Sequence, residues 1–334
     1  MSEPPRFKVV ITDYDYGDVD IERAILGRIG AEVIALQAKS EPELFAAVAD
    51  CDAVMNQYAR VGRDTIDHMT RCRVIARYGV GVDIVDVDAA TARGIAVTNV
   101  RDYCTEEVAD HAIAMWLSLV RNLDIYNRAT HRGEWHWRSG RPVHRIRGRK
   151  MGVVSFGKIG RAIAERAAAF GAEIIVYDPY LDAVSVTEAG ARKVNKDDLL
   201  READYICMQA PMTPETRHFL STREFGLMKR GVIIVNTGRG PTINNSALYA
   251  AIVGGIVGGA GLDDPEEEPA KRASWDPADN PLFSLPNVMV TPHSAYYSEE
   301  SIRSAREIAA SEVARVLSGH PPLNPVNPPA RALS

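Results

Sequence analysis

One stretch limits the fold more than any other: MGVVSFGKIGRAIAERAAAFGAEIIVYDPY, residues 151–180. Met151–Phe156 is an apolar run of strand length. A glycine turn follows, then a helical pattern from Ile159 to Phe170 that stops at Gly171. Glu173–Tyr177 is a second strand, and it ends at Asp178. Two strands joined by a crossover helix run parallel, and such sheets are covered on both faces. The turn also has the chemistry of a dinucleotide fingerprint. Gly157 lets the backbone approach a pyrophosphate, and Gly160 lets the helix pack close on its strand. The helix N-terminus at Lys158 and Ile159 offers N–H groups to an anion. Asp178 suits the adenosine ribose hydroxyls. Its charge repels a 2′-phosphate and no arginine follows at once, so NAD is expected rather than NADP. Ser155 stands where the fingerprint has its first glycine. Its Cβ requires a negative φ there, or strain.

The same alternation runs through the rest of the chain. Strands are expected at Lys8–Asp13, Ala31–Leu36, Ala53–Asn56, Cys72–Tyr78 and Ile95–Asn99, with helices up to Ile29 and over Glu41–Ala49. A long helix follows, with Thr105 as its N-cap and Glu106 and Glu107 in its first turn. From Val108 to Val120 it is apolar on most sides, so it must be buried from several directions. After residue 151 the pattern restarts, with further strands at Tyr205–Met208, Gly231–Asn236, Gly259–Asp263 and Val288–Thr291. Helices fit Asp197–Glu202, Asn244–Val253 and Ser298–Leu317, and a proline-rich extended segment follows. The fold class is therefore α/β: two Rossmann/flavodoxin-like βα domains with parallel sheets and a cleft between them. The last helix is expected to return to the first domain and make it discontinuous.

Composition narrows the functional classes. Lysine plus arginine number 39 against 44 acidic residues, a formal net charge of −5. No basic excess points to nucleic acid or an acidic membrane surface. No apolar run reaches the roughly 18 residues of a membrane span, and the first residues lack a signal-peptide pattern. Cys51, Cys72, Cys104 and Cys207 lie far apart, as expected of buried free thiols in a reducing compartment. The expectation is a soluble cytoplasmic protein. His131, His136 and His144 share one Arg-rich loop without a ligand-spaced cluster, so no metal is expected. His111 lies on the apolar helix and reads as a core or interface histidine.

Three further segments carry chemistry. VNTGRG holds Arg239, GLDDPEEEP holds Glu268 and TPHSAYYSE holds His293. Each follows an expected strand, and ligands of open α/β sheets bind beyond the carboxyl ends of strands. Histidine is the side chain suited to giving a proton to a new hydroxyl near neutral pH. A glutamate beside it would stabilise the imidazolium. An arginine fork matches a carboxylate.

These segments resemble the D-isomer-specific 2-hydroxyacid dehydrogenase family. The resemblance spans nearly the whole chain through ARYGVGVD (76–83), EEVADHAIAM (106–115), SFGKIG, APMTPETRHF (210–219), NTGRG, LDDPEEEP and TPHSA. It implies Arg239, Glu268 and His293 as the catalytic trio. It implies NAD contacts from Ser155, Phe156, Gly157, Lys158, Ile159 and Gly160 in the turn, and from Asp178. Further NAD contacts are implied at Ala210, Pro211 and Thr216, at Thr237 and Gly238, and at Asp263, His293 and Ala295. Residues 1–104 plus 299–334 would form the substrate domain, and 105–298 the NAD-binding Rossmann domain. TPHSAYYSE, with the GEWHWRSGRPVHRIRG approach, looks closest to the C-terminal binding protein branch. On that pattern the substrate carboxylate meets Arg77, Arg239 and the backbone of Tyr78–Gly81, Val80 included. Tyr296 lines the pocket, where that branch has tryptophan. Gln209, Asn244 and Asp264-Pro265 depart from the family's commoner residues. Glu268 argues against formate as substrate, and Pro269 weighs against phosphite. Trp135 and Trp137 fall in the family's dimer contact, which implies a homodimer through the NAD-binding domain.

The expected activity is interconversion of a small D-2-hydroxy acid and its 2-keto acid with NAD(H). The alternative is an NAD(H)-sensing, C-terminal binding protein-like regulatory dimer with little turnover. A third reading, 3-phosphoglycerate as substrate, would need extra cations for the phosphate and a regulatory domain, for which Leu317 leaves no room.

Overall fold

The structure is a computed structural model that describes residues 6–266 and 274–328. It divides into two compact units, one made of the residues up to Tyr103 together with those from Ser298 onward, the other of Cys104–Tyr297.

In the first unit β1 (Phe7–Ile11), β2 (Ala31–Ala35), β3 (Ala53–Asn56), β4 (Val74–Arg77) and β5 (Ala96–Thr98) form one sheet. Its order is β2-β1-β3-β4-β5, all parallel. The inner strands are short, mostly apolar runs buried on both faces, as a covered parallel sheet requires; Val9, Val10 and Ile11 have no exposure. The helix Glu299–Leu317 packs in this unit, against the helix Asp20–Gly27 and strands β3 and β4. There Arg306 reaches the fully buried Glu22, with Nη2 to Oε2 at 2.8 Å and Nε to Oε1 at 3.0 Å. The segment after that helix covers the β5 edge: Val326 N donates to Val97 O at 2.8 Å, and Thr98 bridges Pro325. Covering an edge in this way removes a site of unwanted strand pairing.

In the second unit β6 (Lys150–Val154), β7 (Glu173–Tyr177), β8 (Arg192–Lys193), β9 (Tyr205–Met208), β10 (Val232–Asn236), β11 (Val257–Leu262) and β12 (Val288–Val290) form a second sheet. The order is β12-β11-β10-β9-β6-β7-β8, again all parallel. The strand order reverses between β6 and β9, where open α/β sheets place ligands. The long helix Thr105–Arg121 lies against β10, β11 and the helix Lys158–Ala169. This explains the glycines of β11. A Cβ on Gly261 would lie 3.2 Å from Met115, and one on Gly259 3.3 Å from Leu119.

Two local expectations are corrected. Cys104 is the N-cap of the long helix, and Thr105 is its first helical residue. The expected helix Glu41–Ala49 breaks into a 3₁₀ turn (Glu41–Glu43) and one helical turn (Phe45–Val48). So short a run cannot hold a helix by itself, and Glu41 is drawn instead to Gly62 N at 3.0 Å and Thr65 Oγ1 at 2.8 Å. Among the described residues, no helix is long and apolar enough to cross a membrane.

Candidate active site

The glycine turn follows β6. Ser155 adopts φ +74°, the left-handed alternative, with its N–H bonded to Tyr177 O at 2.9 Å. Gly160 makes that geometry possible, since a Cβ there would stand 2.4 Å from Ser155 O. Gly157 is the N-cap of the helix Lys158–Ala169 and gives it no side-chain cap. A Cβ on Gly157 would meet nothing within 4 Å. Open ground beside an uncapped helix N-terminus is where an anion can approach backbone N–H groups, so the turn fits a pyrophosphate. Asp178 is buried and accepts from Phe156 N at 2.8 Å and Tyr180 N at 2.9 Å. The carboxylate thus fixes the turn from the next strand. The N–H of Phe156 is committed to that bond and its ring is 1% exposed, so Phe156 supports the turn.

Beyond β10, Asn236 builds the next turn. Its Oδ1 accepts from Gly238 N at 3.0 Å, and its Nδ2 donates to Arg239 O at 3.1 Å. Thr242 Oγ1 donates to the same carbonyl at 2.6 Å. Arg239 rests with Nη1 on Gly238 O at 2.9 Å. Gly240 then meets the stretch after β11: a Cβ there would fall 2.4 Å from the Pro265 backbone.

That stretch also carries the histidine turn. His293 N donates to Asp263 O at 2.8 Å. Asp263, 2% exposed, accepts from Ser294 N at 2.8 Å, Ala295 N at 3.0 Å and Thr291 Oγ1 at 2.6 Å. These bonds hold His293 at φ +51°. The Tyr296 ring stands perpendicular to the His293 ring, centroids 6.2 Å apart. The Arg239 and His293 turns are therefore both seated on residues 263–265. Glu268, with Pro269, lies outside the described residues. Glu266, just before it, accepts from Asn245 N at 3.1 Å and contacts His218 Nε2.

Several residues expected at the cofactor also have places within the frame of this unit. Ala210 and Ala295 are buried. Thr216 Oγ1 donates to Pro211 O at 2.6 Å, and Thr237 Oγ1 accepts from Gln209 at 2.6 Å. Asn244 caps the helix Asn245–Val253 by accepting from Ala247 N at 2.8 Å, a role aspartate fills equally well. Asn236, Thr291 and His111 were not singled out from the sequence as part of this framework. For Asn236 a signal was available: a small amide directly after a buried strand and before a glycine turn.

In the first unit, Arg77 ends β4 and folds back, Nη1 to Tyr78 O at 2.6 Å. Gly79 has φ +156°, a backbone that side chains rarely adopt, and a Cβ there would meet the Arg77 guanidinium where it now rests. The Tyr78 side chain is 3% exposed and its hydroxyl lies 3.1 Å from Glu22 Oε1, so it belongs to the core of this unit. Burial, then the charge of Glu22, pushes its phenol well above the ordinary range. Tyr78 N and Gly79 N are bonded to Asn56 O and Arg77 O at 3.0 and 2.9 Å. Val80 is 48% exposed. Among the described residues, no group of three or more His, Cys, Asp or Glu side chains could hold a metal.

Comparison with known proteins agrees with this geometry. The family model for the D-isomer-specific 2-hydroxyacid dehydrogenase, NAD-binding domain, matches residues 113–295. The D-3-phosphoglycerate dehydrogenase of Methanocaldococcus jannaschii is 37% identical over 96% of this chain and 60% of its own length. The glyoxylate reductase of Korarchaeum cryptofilum is 35% identical over 86% of both chains. The solved D-lactate dehydrogenase of Aquifex aeolicus, complexed with NAD and lactic acid, superposes with a TM-score of 0.85 at 28% identity, covering 96% of this chain and 99% of that one. The chain thus spans 60% or less of the phosphoglycerate dehydrogenases it matches, but most of the glyoxylate reductases. It belongs to the D-isomer-specific 2-hydroxyacid dehydrogenase family.

Proposed function

We propose that the protein is an NAD-dependent dehydrogenase that interconverts a small D-2-hydroxy acid and its 2-keto acid. The observation that carries this reading is the seating of the Arg239 and His293 turns on one stretch, residues 263–265, three positions before Glu268 in the sequence. NAD, when bound at the Gly157 turn, supplies or accepts the hydride. Lys158 and Ile159 present the helix N-terminus to its phosphates, and Asp178 excludes a 2′-phosphate by charge. Arg239 binds the keto acid through its planar fork. His293 gives the proton to the nascent hydroxyl, Glu268 stabilises the imidazolium, and Tyr296 borders the place where the substrate side chain lies. Arg77 and the N–H groups of Val80 and Gly81 take the carboxylate, since those of Tyr78 and Gly79 are already bonded.

The near full-length match to glyoxylate reductases favours small substrates such as glyoxylate or hydroxypyruvate over phosphorylated ones. The same match favours turnover over NAD(H) sensing. Four buried free thiols suit the cytoplasm, and the exposed Trp135 and Trp137 suit a homodimer through the second unit.

The test is NADH oxidation with glyoxylate, hydroxypyruvate, phenylpyruvate and phosphohydroxypyruvate. Loss of an acid–base group removes about 10²–10⁴-fold in rate, so His293→Asn falls by that order, and Arg239→Ala falls with a raised KM. Near wild-type turnover in either variant sinks the mechanism. NADH binding without turnover on any acid favours the sensor.

A further inference from the structure

His111 projects from the long helix Thr105–Arg121 onto the histidine turn, although 180 residues of sequence separate it from its contact. Its Nε2 lies 3.0 Å from Thr291 Oγ1. Thr291 Oγ1 lies 2.6 Å from Asp263 Oδ1, and His111 Nε2 is 3.8 Å from the same oxygen. A hydroxyl has one proton to give. Asp263 already acts as acceptor for Ser294 N and Ala295 N, so the threonine proton goes to it as well. The Thr291 lone pair then faces His111, and Nε2 of His111 carries the proton. His111 donates to Thr291 and Thr291 to the Asp263 carboxylate, which also accepts from the N–H groups of Ser294 and Ala295, while His293 N donates to the Asp263 backbone carbonyl.

Those bonds, with the one from His293 N to Thr291 O at 2.9 Å, hold the left-handed backbone that His293 adopts at φ +51°, an uncommon state for a non-glycine residue. Thr291 cannot bond productively to Asp263 unless its hydroxyl is turned that way, and His111 is the group that turns it. We propose that His111 and Thr291 are positioning residues for His293: they lock the Asp263 carboxylate in the rotamer that aims the imidazole. The inference rests on the reading of His293 as the acid–base group. Neither residue touches substrate in this scheme.

A mispointed supporting group commonly costs about 10–100-fold in activity while binding persists. Accordingly, His111→Leu lowers kcat for keto-acid reduction by about 10–100-fold, with the KM for NADH unchanged. Thr291→Val, nearly isosteric, does the same, and the double variant falls no further than either single one. His111→Gln keeps a side-chain N–H at the Nε2 place and restores most of kcat. A second readout needs no turnover. The His293 imidazole resonance in ¹³C-histidine-labelled protein, assigned by its loss in His293→Asn, shifts and broadens in His111→Leu and returns in His111→Gln. An unmoved resonance overturns the positioning role even if no keto acid is turned over. So does wild-type kcat in His111→Leu, or a fall in kcat that His111→Gln fails to rescue. Loss of turnover in His293→Asn together with an inert His111 leaves the dehydrogenase reading standing and removes this one alone.

Discussion

Ser155 is held at φ +74° by its neighbours. Its N–H is tied to Tyr177 O, and its carbonyl occupies the space that a side chain on residue 160 would need. A left-handed residue with a Cβ costs about 1–2 kcal/mol. Glycine at this position removes that cost but loosens the unfolded chain by roughly 0.5–1 kcal/mol. Ser155→Gly should therefore stabilise the protein by about 0.5–1 kcal/mol, seen in calorimetry as a rise of about 1–4 °C in Tm for a unit of this size. NADH affinity should be no weaker. A lower Tm would mean that the serine contributes more through its side chain than its backbone conformation costs. The sequence alone showed the conflict between serine and the turn. The sign of φ was not legible there, because it is set by strand β7 and by Gly160 rather than by Ser155 itself.

At the scale of elements, the strands were read closely, while what lies just past their ends was read less well. Short apolar runs between turn residues mark the strands of a covered parallel sheet, and β3 was legible residue for residue. Tyr78 was read as the last residue of its strand, but the inward direction of its side chain was not. Val74, Ala76 and Tyr78 share one core cluster and Ile75 lies in the other, so the two-residue period of β4 simply runs on by one step. That signal was present. The pairing of His111 with Thr291 had none, since nothing local joins a helix to a turn so far along the chain. Tyr78 is also an anchor: its hydroxyl holds Glu22, which Arg306 holds from the last helix of the same unit. In Tyr78→Phe the Glu22–Arg306 pair survives, so the fold should persist with a loss of about 1–2 kcal/mol in urea unfolding. The loop Gly79–Gly81 loses its tether, and the KM for the keto acid should rise while NADH affinity, which belongs to the second unit, stays the same. An unchanged KM would show that Arg77 and Gly79 alone set the loop.

At the scale of the whole molecule, the remaining question is association, and the surface narrows the answer. The β5 edge is closed by Asn324–Asn327, so strand pairing there is unavailable. The second unit offers something different. Trp135 is 90% exposed and Trp137 64%, and Arg138 and Arg141 lie over the Trp137 ring at 5.3 and 5.7 Å. Together with Tyr126 and His136 the tryptophans border a cavity of about 360 Å³. Exposed tryptophan and arginine beside a cavity that can admit a side chain are the composition of an interface centre. Large exposed apolar residues of this kind are otherwise costly to solubility. The protein should sediment as a dimer at micromolar concentration. The double variant Trp135→Ala/Trp137→Ala should sediment as a folded monomer, because neither ring is part of the unit's core. A wild-type monomer, or a dimer that survives both truncations, would assign association to another face. If the monomeric variant still binds NADH, the glycine turn works within a single chain. If its kcat also falls, the aromatic arm contributes to order at the site as well as to association.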